Sequence, residues 1–95
     1  MTYAYQIFGH FHADEKETKE LIAQLNTTFE PWGGLISRTV LDVPEDDIIS
    51  VLYICEDRES ALKGQKRVQG LIEKFEEHVG FSTEFIFEVN DNRSF

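Results

Sequence analysis

Cysteine, proline and positive charge are scarce in this 95-residue sequence, and long apolar runs are absent. The single cysteine, Cys55, excludes an internal disulfide and a metal site built from several thiolates of one chain. No stretch approaches the roughly 20 apolar residues that a membrane-spanning helix needs. The first residues also lack the basic region and small-residue cleavage site of a secretory signal. These absences predict a soluble cytoplasmic protein.

The charge of the chain is strongly acidic. Nine lysines and arginines stand against 18 acidic residues, a formal net charge of −9. Such a field repels phosphate backbones and anionic lipids, so we expect neither nucleic acid nor membrane as a partner. A chain of this length buries about 65% of its unfolded surface, which suffices for one two-layer core. We therefore expect residues 1–95 to form a single domain.

Four segments have the aromatic, β-branched or alternating pattern of strands, namely residues 3–11, 35–43, 48–55 and 81–89. The first and third, YAYQIFGHF and IISVLYIC, are apolar on both sides, which predicts central strands. The second and fourth carry charged side chains, which predicts strands at the sheet edges. In the fourth strand, alternation places Phe85 and Phe87 on a buried side and Glu84 and Glu88 on a wet side.

Two helices lie between these strands. Asp14 is the expected N-cap of the first, whose apolar stripe ends near Pro31. Asp57 is the expected cap of the second, which we expect to run to Val79 and to end at Gly80. The order is βαββαβ, which predicts a ferredoxin-like α+β fold with a four-stranded antiparallel sheet and both helices on one face.

The other face of this sheet lacks a cover. Its two central strands would expose an apolar patch larger than soluble monomers usually tolerate. Pairing with the sheet of a second copy would bury about 800 Å² per partner. If half of that area is apolar, the gross gain is about 20 kcal/mol for both partners. This exceeds the lower estimates of the association cost, and we therefore predict a homodimer.

The segments LYICEDRESALKG and FIFEVND carry a family resemblance. An apolar third strand that runs through a short acidic turn into a helix opening with Ser-Ala-Leu resembles the antibiotic-biosynthesis-monooxygenase-like branch of the dimeric α/β-barrel superfamily. The resemblance implies a dimeric α/β barrel. It also implies cofactor-independent oxidation of a small aromatic or polyketide-like molecule held between helices and sheet. Haem-degrading members carry a tryptophan where this chain has Cys55, which argues against haem degradation.

His10 and His12 are the candidate catalytic residues. Their spacing places both imidazoles on one face of a strand, where they can act as acid and base. A divalent metal would need a third ligand, for which Asp14 is the nearest carboxylate, and two exposed histidines at a fraying strand end are the favoured alternative. We expect no metal and no cofactor. The resemblance implies that His10 or His12 is the base.

Trp32, Arg38 and Tyr53 are the candidate substrate-binding residues. Trp32 precedes two glycines and is either a plate that closes over a flat ligand or a lid on the core. Tyr53 and Arg38 can orient a phenol or a carboxylate, although Arg38 can equally pair across a dimer and Tyr53 can simply be packed. The resemblance implies that Trp32 and Tyr53 are walls and that Arg38 stabilises an anion.

A non-catalytic module remains the alternative function. The sequence shows no phosphate-binding glycine loop, no nucleophile elbow and no catalytic pair of carboxylates. Cys55 ends an apolar strand without an adjacent base and is expected to be a buried, unreactive thiol. Such a chain can bind a small ligand or a protein through its acidic surface without catalysing a reaction.

Overall fold

The computed structural model describes residues 2–11, 14–43, 48–73 and 79–89. Six elements follow one another, listed here in chain order: β1 (Thr2–Phe11), α1 (Glu15–Thr27), β2 (Leu35–Val43), β3 (Ile48–Cys55), α2 (Arg58–Glu73) and β4 (Val79–Val89). This is the predicted βαββαβ order.

The four strands form one antiparallel sheet in the order β2-β3-β1-β4. The strands that are apolar on both sides, β1 and β3, occupy the centre. The charged strands β2 and β4 are the edges, as predicted. Charged side chains on edge strands oppose edge-to-edge association of sheets. The ferredoxin-like fold expected from the sequence is therefore confirmed.

One face of the sheet, called the covered face, packs against the helices. Odd-numbered residues of β1 and β3 lie on it, because Tyr5 pairs directly with Tyr53 and Ile7 with Val51. Buried side chains of this face, of both helices and of the segment between α1 and β2 form the core: Tyr5, Ile7, Phe11, Ile22, Trp32, Ile49, Val51, Tyr53, Cys55, Ala61 and Val68. The core thus lies between the sheet and the helices.

The opposite face, called the open face, carries the even-numbered residues of the central strands. Its members are placed by cross-strand pairing: Ala4, Gln6, Phe8, His10, Leu41, Ile48, Ser50, Leu52, Ile54, Phe85 and Phe87. Leu41, Phe85 and Phe87 are 63%, 49% and 43% exposed. The predicted apolar face without a helical cover is present in the fold.

Both helices begin where the sequence predicts. The Asp14 carboxylate accepts a hydrogen bond of 2.8 Å from the backbone N–H of Glu17, and the Asp57 carboxylate accepts one of 2.8 Å from that of Ser60. Each bond satisfies one of the N–H groups that a helix start leaves without an intrahelical partner. The helix α1 ends at Thr27, ahead of Pro31.

The strand β4 begins earlier than predicted, and its apolar residues lie on a different face of the sheet from the one expected. Gly80 is not a helix terminus: it lies in β4 opposite His10, because the ladder with β1 continues to Val79. From Glu84 to Val89 the residues alternate between the two faces as predicted, but a register shift against β1 interrupts the ladder before Thr83. Phe85 lies on the open face, whereas Glu84 pairs with Ile7 on the covered face. Glutamines of α2 face this edge and bind the carboxylate, so a polar residue is stable there.

Candidate ligand-binding cavity

A cavity of about 730 Å³ opens between the covered face and the helices. Its volume falls within the range of about 300–1,000 Å³ typical of small-molecule sites. Its described lining includes an aliphatic floor, an aromatic wall and two guanidinium groups. These come from Ile7, Ile49, Val51, Phe29, Trp32, Tyr53, Arg38 and Arg67. The three predicted substrate-binding residues are thus brought together by the fold.

Trp32 forms the centre of the aromatic wall. Its ring centroid lies 5.2 Å from that of Tyr53 and 6.1 Å from that of Phe29. The indole N–H donates a 3.0 Å hydrogen bond to the carbonyl oxygen of Ser60 in α2. Only 7% of the residue is exposed. Trp32 therefore belongs to the core, as the second alternative expects, and it also lines the cavity as a ring held in place.

Arg38 presents positive charge to the cavity. One guanidinium nitrogen, Nη2, donates a 2.9 Å hydrogen bond to the side-chain oxygen of Asn26. The guanidinium carbon lies 4.3 Å from the centre of the Phe29 ring, within the range of a cation–π contact. Among the described residues its buried Nε has no hydrogen-bond partner. The contacts with Asn26 and Phe29 are uncharged, so they orient the guanidinium without neutralising it.

Tyr53 is the direct cross-strand partner of Arg38. Burial raises the pKa of the Tyr53 hydroxyl, and the neighbouring Arg38 guanidinium only partly offsets that rise. Tyr53 consequently keeps its proton at neutral pH and can donate a hydrogen bond.

Tyr5 joins Tyr53 to a polar cluster at the sheet edge. The two rings are stacked, with centroids 5.5 Å apart and planes inclined by 13°. The Tyr5 hydroxyl donates a 2.9 Å hydrogen bond to Glu84, whose other oxygen accepts 3.0 Å bonds from Gln65 and Gln69. Sequence reasoning missed this cluster, because Tyr5 and Glu84 are 79 positions apart and no local spacing connects them.

Burial of Tyr5 and Tyr53 makes the stability of the fold depend on pH in the alkaline range. Burial raises the pKa of Tyr5, as does its bond to Glu84, and burial also raises that of Tyr53, from the ordinary value of 10.0. Below about pH 10 the folded and unfolded chains both hold these protons, so the full stability is present. Above about pH 10 the unfolded chain releases the two hydroxyl protons before the folded chain does. The free energy of unfolding must therefore fall as the pH rises.

We expect Tyr5→Phe to lose less stability than the wild type between about pH 9 and 11, because it removes one shifted group. Urea unfolding across that range, with tyrosinate absorbance recorded in parallel, measures this. Reversible ionisation of every tyrosine near pH 10 in a chain with native circular dichroism would contradict the prediction.

His10 lies away from the cavity. It is exposed, and it pairs with Ile48 of β3 on the open face. The neighbouring pair, Gly9 with Ile49, lies on the covered face. Because side chains alternate along a strand, the sheet separates the imidazole from a molecule bound beside Trp32. The geometry does not support His10 as a base for that molecule, and His12 lies outside the described residues.

Cys55 is fully buried, and burial raises the pKa of its thiol. It therefore remains a thiol rather than a thiolate at neutral pH. Within the described ranges, no group of three histidine, cysteine, aspartate or glutamate side chains is arranged to hold a metal ion. No helix in the described part of the chain is long and apolar enough to cross a membrane.

Comparisons with solved structures identify proteins of the same architecture. SnoaB, a cofactor-independent oxygenase from Streptomyces nogalater, is 12% identical, with a TM-score of 0.69 over 96% of this chain and 95% of that one. An antibiotic-biosynthesis-monooxygenase-like protein from Chloroflexus aurantiacus is 16% identical, with a TM-score of 0.73 over 99% and 98%. A dimeric ferredoxin-like protein from an uncultured marine organism is 15% identical, with a TM-score of 0.74 over 97% and 98%.

No protein-family model and no curated protein matches the sequence. At these identities the likeness to solved structures shows a common fold. It extends over 96–99% of this chain in the three comparisons, and it agrees with the resemblance carried by LYICEDRESALKG and FIFEVND. The chain therefore has the ferredoxin-like fold that these solved structures share.

Proposed function

We propose that this protein is a homodimeric, cofactor-independent monooxygenase-like protein that binds a small aromatic or polyketide-like molecule in the cavity. The observation that carries the proposal is the Arg38 guanidinium, held by neutral partners against the aromatic wall of a cavity of about 730 Å³. A flat ligand would stack against Trp32 and Tyr53. The description of SnoaB as a cofactor-independent oxygenase supports the same class of chemistry.

The proposed role of Arg38 is to stabilise an oxyanion of the ligand. The guanidinium lines the cavity, and its neutral partners Asn26 and Phe29 leave its charge available to a phenolic or enolic oxygen. The protonated Tyr53 hydroxyl beside it is a second donor. Charge stabilisation is strong where water is excluded, so the pKa of the bound hydroxyl falls and the phenolate or enolate forms. The hydroxyl proton passes to solvent.

Dioxygen is the oxidant in the proposed reaction. For an anthrone-type ligand, a ring CH₂ becomes a carbonyl: the ligand loses four electrons and dioxygen gains four. One oxygen atom enters the product, and the other leaves as water with the two hydrogens of the CH₂ group. The residues bind and orient the ligand, stabilise its anion and exclude water. His10 has no part in this scheme, and a role of His12 as base remains a prediction.

The open face supports the proposed homodimer. Phe85 and Phe87 are nearly half exposed. The ring of Phe8 packs edge to face against that of Phe85, with their centroids 6.4 Å apart. A sheet face of this composition is suited to a second copy of itself. Two of the solved structures with this fold are described as dimeric ferredoxin-like proteins.

A non-catalytic binding module is the second candidate function. The observation in its favour is that the described lining of the cavity includes no histidine, the residue most often used for proton transfer. Oxygen uptake distinguishes the two candidates. With anthrone as the probe, a monooxygenase consumes dioxygen faster than the uncatalysed reaction, whereas a binding module binds anthrone without added uptake.

Binding itself can be followed with Trp32, because it is the one tryptophan of the chain and lines the cavity. We expect 2-naphthol and anthrone to quench its fluorescence saturably. Arg38→Met should weaken binding by about 10- to 100-fold, the range expected for a lost hydrogen bond to a charged group.

Arg58→Met is the matched control, since Arg58 is exposed at the start of α2 and is not a lining residue. It removes the same charge by the same substitution and should leave the affinity unchanged. Absence of saturable quenching, or equal weakening by both variants, would refute the assignment of the cavity as the ligand site.

A further inference from the structure

We propose that the ligand carries two acidic oxygens, a phenolic or enolic oxygen that binds Arg38 and a carboxylate that binds Arg67. This inference rests on the proposed function, because it takes the cavity as the ligand site. It adds a second recognition element to the site, and it narrows the ligand class to hydroxylated aromatic carboxylic acids.

Arg67 is the second guanidinium of the cavity. It lies on α2, lines the cavity and is exposed. Its Nη1 lies 3.4 Å from the carbonyl oxygen of Glu30 and 3.3 Å from that of Pro31. These distances are at the long end for hydrogen bonds to oxygen. Carbonyl oxygens carry no net charge, so the contacts hold the guanidinium in place and leave its positive charge available to an anion.

The charge of the cavity is opposite to that of the chain. The whole sequence has twice as many acidic as basic residues, 18 against nine. The described part of the lining has two arginines and one acidic residue, Glu30, whose side chain is exposed. Since the overall field repels anions, a local excess of positive charge is needed to hold one. Two arginines held by uncharged groups provide such an excess.

Both arginines act at the same end of the cavity. Arg38 contacts Asn26 and Phe29, and Arg67 contacts the two residues that follow Phe29. One guanidinium comes from the sheet and the other from a helix, and both are held by the short segment after α1. A ligand ring that packs against Phe29 can therefore contact the Arg38 guanidinium on the side of the sheet and the Arg67 guanidinium on the side of α2.

Calorimetric titration with defined probes tests this inference. The reference probe is 2-naphthol, which has a hydroxyl group and no carboxylate. The test probes are 3-hydroxy-2-naphthoate and 6-hydroxy-2-naphthoate, which carry both a hydroxyl group and a carboxylate but at different distances from each other. Because Arg67 is exposed, its pairing with a carboxylate is worth about 1 kcal/mol, which corresponds to about fivefold in affinity. We expect at least one hydroxynaphthoate to bind about fivefold more tightly than 2-naphthol.

The variants Arg67→Gln and Lys66→Gln separate this contact from general charge. Lys66 is exposed, adjacent to Arg67 and not part of the lining. Arg67→Gln should abolish the advantage of the hydroxynaphthoate over 2-naphthol, whereas Lys66→Gln should leave that advantage unchanged. Arg67→Lys, which keeps the charge, should retain part of the advantage.

Three results would overturn the inference while leaving the proposed function intact. The first is that 2-naphthol binds in an Arg38-dependent way but neither hydroxynaphthoate binds more tightly. The second is that Arg67→Gln weakens both classes of probe equally, which shows that Arg67 only supports the segment carrying Phe29. The third is that Lys66→Gln removes the advantage as well. If no probe binds at all, the proposed function fails too.

Discussion

Leu52→Asp is expected to convert the protein from a dimer into a folded 11.0 kDa monomer. Leu52 lies on the open face between its cross-strand partners Gln6 and Thr39. In the proposed dimer this position is covered by the second sheet, and a carboxylate there would be buried without a partner. That cost is several kcal/mol for each chain, which is comparable with the whole association energy. The helix-packed core is on the other side of the sheet and remains intact.

Val51→Asp is the matched control for this prediction. Val51 is adjacent in sequence, but it is 6% exposed and faces the helices. An unpaired charge at that position enters the core itself and should unfold the chain, a loss of more than about 4 kcal/mol. Two neighbouring positions of β3 thus give opposite results with the same substitution.

Sedimentation and circular dichroism at tens of micromolar protein distinguish these outcomes. The wild type should sediment as a dimer, Leu52→Asp as a monomer with native circular dichroism, and Val51→Asp should lack a cooperative thermal transition. A wild type that sediments at 11.0 kDa, or a Leu52→Asp variant that stays dimeric, would show that the open face is not the interface.

Gly64→Ala is expected to destabilise the protein although alanine is the better helix former. A Cβ atom at Gly64 would overlap the six-membered ring of Trp32. The ring is held by its bond to Ser60, so it cannot move away freely. Overpacking costs about 1–3 kcal/mol, and the helix gains about 1 kcal/mol from alanine, which leaves a net loss of up to about 2 kcal/mol in the free energy of unfolding.

Gly70→Ala is the control within the same helix. Among the described residues, and apart from its chain neighbours and the backbone of α2, no heavy atom lies within 4 Å of a Cβ at Gly70. The variant should therefore gain the full helix preference of about 1 kcal/mol. Urea unfolding gives both values, and the emission of Trp32 reports whether the cavity wall has moved. If the two alanine variants were equally stabilised, the close contact between Gly64 and Trp32 would be disproved.

Much of the fold could be predicted because its signals are local. The aspartates that cap both helices act within three residues, at Asp14 and Asp57. Strand alternation requires only neighbouring residues, and it correctly separates Tyr5 and Ile7 from Phe8 and their other neighbours. The two-sided apolar character of β1 and β3 then places these strands at the centre.

Predictions failed or were missing where strand register or a distant partner decides the outcome. Gly80 looks like a helix terminus in sequence, but the continuing ladder with β1 makes it part of a strand. The alternation of side chains already predicts that His10 and Tyr5 lie on opposite faces of β1. The position of the helices is needed to show which of these faces carries the cavity. The roles of Gly64 and Arg67 depend on segments that approach them from elsewhere in the chain.

Periodicity, capping and charge are properties of short stretches. The order of the elements, the central and edge strands and the uncovered apolar face could therefore be predicted from the residues alone. The tertiary structure is needed to bring Trp32, Arg38 and Tyr53 into one cavity and to leave His10 outside it. It also decided that Tyr5 binds Glu84 and that Arg67 joins Arg38. These arrangements depend on which strands pair, in which register and under which helix, and the packing of the whole chain sets them.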